Sequence, residues 1–246
     1  AKSAAQCLAI HEALAGADPL DDATLLCRPR FRPAPKLSGL RIGLPAPFFS
    51  DAMEASVREQ VEAALQRVKK AGARVEAVPF PELNALNNAA SVTLLAEAAA
   101  VFEWALAQPE LIGDDVRIRF EQGLLIPAVD YRHAQRLRAH WMRQTESLFA
   151  ECDLLLTPAS PVVAPLIGDP YVELGGQRVD ARTAISRYLR SINFLGLPAM
   201  ALPCGIGGQG MPVALQMVGA FAEDEFVLRA SILLEQVLEF TAEPPA

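Results

Sequence analysis

Ser191–Gly219, SINFLGLPAMALPCGIGGQGMPVALQMVG, is the stretch whose reading decides the fold. Within it Ala199–Leu202 is a short apolar run bounded by Pro198 and Pro203, too short for a helix. Val213–Val218 is a second such run, and the GIGGQG between them supplies the positive-φ positions that a tight turn needs. The spacing predicts two central strands joined by a tight connection. Asn193 and Gly196-Leu197-Pro198 lie just upstream, where a chain entering a sheet often lines a site.

Working outward, Asp153–Thr157 reads as a third buried strand ended by Pro158, and Tyr171–Val179 with Gly175-Gly176 as a hairpin. Leu154–Leu156, Met200–Leu202 and Val213–Val218 are apolar at consecutive positions, the pattern of strands buried on both faces. Leu40–Leu44 and Arg74–Val78 are further strands. The helix expected over 52–71 lies between them, with Val57, Val61, Leu65 and Val68 on one face and Gly72 as its stop. Strand, helix and strand at this spacing form a βαβ unit, so part of the sheet should be parallel.

Residues 3–15 are Ala-rich and helical in pattern, closed by Gly16. Long helical regions are expected over 83–107 and from Pro127 to about Phe149, with shorter ones near 112–122, at 181–192 and at 223–239. The Pro-dense, basic segment 28–36 reads as a surface connector without regular structure.

Composition narrows the function. The 246 residues are 52% hydrophobic, enough for a large core. A net charge of −7 without a dense Lys/Arg cluster argues against nucleic acid as partner. No apolar run approaches the ~20 residues that span a bilayer, so no membrane partner is expected. Residues 94–107 come closest, but Glu97 and Glu103 interrupt them. The opening residues lack the basic stretch and apolar core of a signal peptide. Cys7, Cys27, Cys152 and Cys204 form no C-x-x-C pair, which fits reduced thiols in the cytoplasm.

Three motifs, in order, carry a resemblance: Asn193-Phe-Leu-Gly-Leu-Pro-Ala199, Leu202-Pro-Cys-Gly205 and Met211-Pro-Val-Ala-Leu-Gln-Met-Val-Gly219. Together they resemble the carboxyl-terminal part of the amidase signature family, whose members split or transfer amide nitrogen. Cys152–Pro165 and Leu40–Pro45 resemble further elements of that family, and Ala1–Gly16 with Asp18-Pro19 resembles the helix after its catalytic segment. The resemblance implies an α/β fold, a mixed sheet flanked by helices. Residues 1–246 would form the carboxyl-terminal portion of one amidase-like domain whose amino-terminal half is incomplete.

The family's chemistry rests on a nucleophilic serine, a bridging serine and a lysine that activates them. The ten serines here stand singly, and Lys2, Lys36, Lys69 and Lys70 have no such partner nearby in sequence. Residues 1–246 are therefore expected to hold no catalytic group and to form the substrate-side wall for a small-molecule amide. Paired with the amino-terminal portion, or self-associated over the same surface, they would cover an otherwise open sheet edge. The alternative is a non-catalytic subunit or pseudoenzyme that keeps the fold and binds a partner.

Tyr131 and Arg138 resemble a family helix whose tyrosine and arginine face the cleft. An arginine there could clamp a carboxylate or carbonyl. The plainer reading is a solvated basic face shared with Arg132, Arg136 and Arg143. Asn193 is the third substrate-binding candidate, expected to be partly buried and hydrogen-bonded. Glutamine-using members carry an aspartate near Ser186, absent here, which argues against a tRNA-linked glutaminase.

No cofactor or metal is expected. GIGGQG precedes a strand-like run, whereas a dinucleotide fingerprint opens a helix. His11, His133 and His140 have no H-x-x-x-H spacing among them. Cys204, with no His or Lys nearby, reads as a small buried hydrophobe.

Overall fold

The structure, a computed structural model, describes residues 1–21, 24 and 29–241. Its described residues divide into two compact units, Ala1–Phe80 with Thr145–Ala246, and Pro81–Gln144.

The larger unit opens with helix α1 (Ala4–Leu14), where the Ser3 hydroxyl accepts from the Gln6 amide at 3.2 Å. The helix ends because Ala15 leaves in extended conformation, so Gly16 does not act as a left-handed cap. Strand β1 (Arg41–Pro45), a short helix α2 (Ala46–Ser50), helix α3 (Ala55–Lys70) and strand β2 (Arg74–Val78) follow. β1 and β2 are parallel, Arg41 opposite Arg74, as the strand–helix–strand pattern requires.

The smaller unit contains α4 (Leu83–Val101), α5 (Glu103–Leu106), a 3-10 turn at Pro109–Leu111, α6 (Asp114–Leu124) and most of α7 (Ala128–Leu148). The helix expected over 83–107 breaks at Phe102, whose ring stacks on Phe120 of α6 at 5.3 Å between centroids. Gly123 lets α6 press on α4, since a Cβ there would sit 2.1 Å from the Leu95 carbonyl oxygen.

Returning to the larger unit, β3 (Leu154–Pro158) runs parallel to β1. The hairpin β4 (Tyr171–Leu174) and β5 (Gln177–Asp180) then feeds α8 (Ala181–Leu195). β6 (Ala199–Ile206), β7 (Pro212–Val218) and α9 (Asp224–Leu238) complete it. The main sheet is mixed, in the order β2-β1-β3-β7-β6, with β7 antiparallel to both β3 and β6.

One face of that sheet presents Ile42, Leu154, Leu156, Leu202, Cys204, Val213, Leu215 and Met217 to a core shared with α1, α3 and α9. Val57, Val61, Leu65 and Val68, the predicted stripe of α3, are all in it. Residues 29–36 have no regular structure but are not a loose strap. The Arg32 guanidinium lies 3.9 Å over the Phe226 ring and donates to Asp153 at 2.9 Å and to Glu223 at 3.0 Å. Residue 28 and Cys27 lie outside the described residues.

The sequence places β6 centrally, with both faces buried, and here the structure differs. Among the described strands β6 is an edge, and Ala199 and Ala201 are exposed while Leu202 and Cys204 are buried. Its apolar letters alternate between a filled face and an open one.

Candidate functional site

The upstream half of the deciding stretch is the last turn of α8. Asp180 caps the start of this helix by accepting from Thr183 N at 2.8 Å. Gly196, at φ 69°, ends it in the left-handed region that a Cβ disfavours. The chain then steps through Leu197-Pro198 into β6, and Gly219 N donates to Pro198 O at 3.0 Å, tying the end of β7 to that step.

The inner side of α8 is Ala184, Tyr188, Ser191, Ile192 and Leu195, all buried. Tyr188 meets Phe48 at 5.3 Å and donates to the Ala52 carbonyl at 3.3 Å; burial raises its pKa. The outer side carries Arg182, Ser186, Arg190 and Asn193, at helical spacing. Arg190 Nη2 donates to Ser186 Oγ at 2.6 Å, and Ser186 donates to Arg182 O at 2.7 Å. Arg187 turns aside to Asp51, with Nη2 to Oδ1 at 3.1 Å.

Asn193 differs from expectation: it is exposed, and its side chain has no partner among the described residues. The helix runs three residues past its expected end at 192, which carries Asn193 onto the outer stripe. Arg190 was not singled out from sequence. Its spacing of four from Ser186 was the available signal.

Tyr131 and Arg138 lie in the helical unit, two turns apart on one side of α7. Tyr131 donates to Glu97 Oε1 at 2.9 Å, and this hydrogen bond raises the phenol's pKa; the nearby Arg138 charge acts in the opposite direction. Gln135, between them, donates to Thr93 at 3.2 Å. Another side of α7 carries His133, Arg136, His140 and Arg143 around a depression of about 680 Å³.

The GIGGQG segment is a hairpin connection, with Gly207 N donating to Met211 O at 2.8 Å and a strand, not a helix, after it. Gly208 N donates to Ser56 Oγ at 2.9 Å, and Ser56 donates to Glu54, which also receives Val163 N at 3.3 Å. Beside this junction Glu54, Asp169, Tyr171, Glu173 and Arg178 line a cleft of about 450 Å³. Cys204 is buried and burial pushes its thiol up to about 12, so it is no nucleophile near neutral pH. Among the described residues no group of three His, Cys, Asp or Glu could hold a metal ion, and no helix is long and apolar enough to cross a membrane.

Against this geometry the sequence matches the family profile described as Amidase over residues 1–228. The chain belongs to the amidase family. An amidase of Pseudomonas putida is 31% identical over 92% of this chain and 49% of its own length. The 1-carboxybiuret hydrolase subunit AtzE of Pseudomonas sp. strain ADP is 31% identical over 92% and 50%. A solved structure described as an amidase superposes with a TM-score of 0.76 at 31% identity, over 83% of this chain and 47% of that one. The chain spans about half the length of the relatives it matches. The α/β fold, a mixed sheet flanked by helices, is that of the family's enzymes.

Proposed function

We propose that this protein is an amide hydrolase in which a serine nucleophile outside residues 1–246 attacks a carbon–nitrogen amide bond. Residues 1–246 supply the substrate-side wall of the site. The observation that carries this reading is the family match over 228 residues with relatives of twice the span. Among the described residues, three helical serines are held by their own backbone. Ser186 donates to a backbone carbonyl of its own helix, and so does Ser191, to Tyr188 O at 2.9 Å. Ser231 does the same, to Val227 O at 2.7 Å. None of these three hydroxyls is paired with a base.

In this reading Asn193, the exposed amide on the outer stripe of α8, reaches a substrate carbonyl or amide. Arg138 clamps an anionic or carbonyl group and Tyr131 orients beside it. The substrate is a small molecule bearing an amide. The partner is the amino-terminal portion of the same amidase domain, and 1–246 is the carboxyl-terminal portion of that one domain. We place the activity in the cytoplasm, in keeping with the free thiols of Cys7, Cys152 and Cys204.

The test is turnover of aryl and aliphatic amides by protein expressed from the complete reading frame, beside homogeneous residues 1–246. Activity is expected only in the first. Hydrolysis by the 246 residues alone would refute the external nucleophile. A complete protein inert across the panel, yet folded, would favour the non-catalytic subunit.

A further inference from the structure

The side of α7 opposite Tyr131 and Arg138 carries His133, Arg136, His140 and Arg143 around the depression of about 680 Å³, with Leu137 among them. Steps of three, four and three residues put the four side chains in one line along the helix, about 15 Å long. All four are exposed. Among the described residues none of the four has a hydrogen-bond or ion-pair partner for its side chain. Elsewhere arginines are matched to acids: Arg32 to Asp153 and Glu223, Arg117 to Asp114 and Glu121, Arg187 to Asp51. The acids of α7, Asp130 and Glu146, stand at its two ends, and Glu146 is taken by Arg30.

Charge and spacing together narrow what this line can take. Arg136 and Arg143 are fixed positive charges, and each histidine donates at least one N–H in either protonation state. Neighbours on such a line stand about 5–6 Å apart, too far for one small anion to be held by all four. An elongated partner can meet them in turn. Val129 and Leu137, on the same side of the helix, are 58% and 44% exposed, so that partner needs apolar groups beside its anions. A long polyanion meets only half of this requirement, and beyond the ~15 Å of the line it would run over a protein of net charge −7. A helix fits both: it can present a carboxylate once per turn of about 5.4 Å, with an apolar stripe alongside.

We propose that this side of α7 is a docking surface for an acidic amphipathic helix of a partner protein. The partner's carboxylates lie on Arg136 and Arg143 and accept from the flanking His133 and His140, and its apolar stripe covers Val129 and Leu137. The occupant is a different protein and not a second copy, because a two-fold pair through this side would set the same basic line against itself. The surface does not depend on where the nucleophile of the amidase lies, and it leaves the Tyr131 and Arg138 side of the helix free for substrate.

The experiment uses protein expressed from the complete reading frame and a fluorescein-labelled helical peptide of about four turns, with glutamates and leucines along one face. Fluorescence anisotropy reads its affinity. Replacing the peptide's glutamates by lysine, or its leucines by serine, is expected to weaken binding at least about tenfold. Arg136→Glu combined with Arg143→Glu is expected to do the same, with Tm within about 1 °C of the parent, since neither side chain holds another part of the chain. Arg136→Gln with Arg143→Gln removes the charges without adding repulsion, and it must weaken binding even if the reversed variant does not fold. Four results overturn the proposal. They are no saturable binding, equal binding of the lysine or serine peptide, tighter binding of a single-stranded oligonucleotide of the same charge, and a glutamine variant that binds like the parent.

Discussion

Replacing Asp153 by Asn removes the charge at which three segments of the larger unit meet. Its carboxylate accepts from Arg41 N at 2.9 Å, from Arg41 Nη2 at 2.9 Å and from Arg32 Nη2 at 2.9 Å. Through these bonds it joins the start of β3, the start of β1 and the Pro-rich connector. A fully buried ion pair broken on one side costs about 3–5 kcal/mol, and an exposed one about 0–1. Here the acid is 14% exposed and the arginines 29% and 42%. The case lies between these limits, and a loss of about 2 kcal/mol is expected. For a protein of this size that lowers Tm by about 4–8 °C.

The pH dependence fixes the cause. Burial pushes the Asp153 carboxyl up, but the hydrogen bonds from Arg41 and Arg32 outweigh it and hold the group below its ordinary 3.8. A carboxyl depressed in the folded state contributes its stability above the unfolded value, and that contribution is lost as pH falls through the folded value. Thermal unfolding followed by circular dichroism should show a constant gap between parent and Asp153→Asn from about pH 8 to 5, closing below about pH 4. A gap that persists unchanged at about pH 3, or a Tm within about 1 °C of the parent at neutral pH, would show that the network does not hold the connector.

Two further outcomes follow from the candidate site and the core. In the active, complete protein, Arg138→Ala should lower amide kcat/KM more than tenfold, roughly the 1.5–3 kcal/mol of a charged hydrogen bond; unchanged kinetics would show that Arg138 does not hold the substrate. A thiol reagent near pH 8 should label Cys7 in the folded protein. Cys152 and Cys204, whose thiols burial pushes up to about 11 and about 12, should react only in denaturant. Prompt labelling of Cys204, read by peptide mass spectrometry, would contradict the packing given for β6.

The parts of the fold that the sequence revealed are those where one periodicity dominates. Val57, Val61, Leu65 and Val68 repeat at helical spacing between two short strands, and only a parallel βαβ unit satisfies all three segments at once. What it hid depends on neighbours. No Gly or Pro announces the break at Phe102, which is fixed by stacking on Phe120 from another helix. The sequence pattern ends the helix at residue 192 and puts Asn193 just before the sheet. The left-handed Gly196 instead extends that helix to Leu195 and turns the amide outward. The likeness to a family helix singles out Tyr131 and Arg138, but the hydrogen bond from Tyr131 to Glu97 crosses 34 residues and leaves no local trace.

β6 shows why composition misleads at a sheet edge. Alanine is counted as apolar whether it is buried or exposed, so Ala199-Met200-Ala201-Leu202 scores as a continuous hydrophobic run. On the strand it separates into a large-residue face packed in the core and a methyl-only face left open. Gln216 carries the complementary signal. It interrupts Val213–Val218, otherwise apolar, at a position whose cross-strand neighbours are Thr157 on one side and Ala201 on the other. An apolar residue would satisfy burial there without any partner, whereas an amide satisfies it only if something donates to it. A polar side chain at the centre of a sheet face is thus understood from its register, because its cross-strand neighbours decide what it can meet. That link between one glutamine, one threonine and two alanines becomes visible only when strand register places them in adjoining rows.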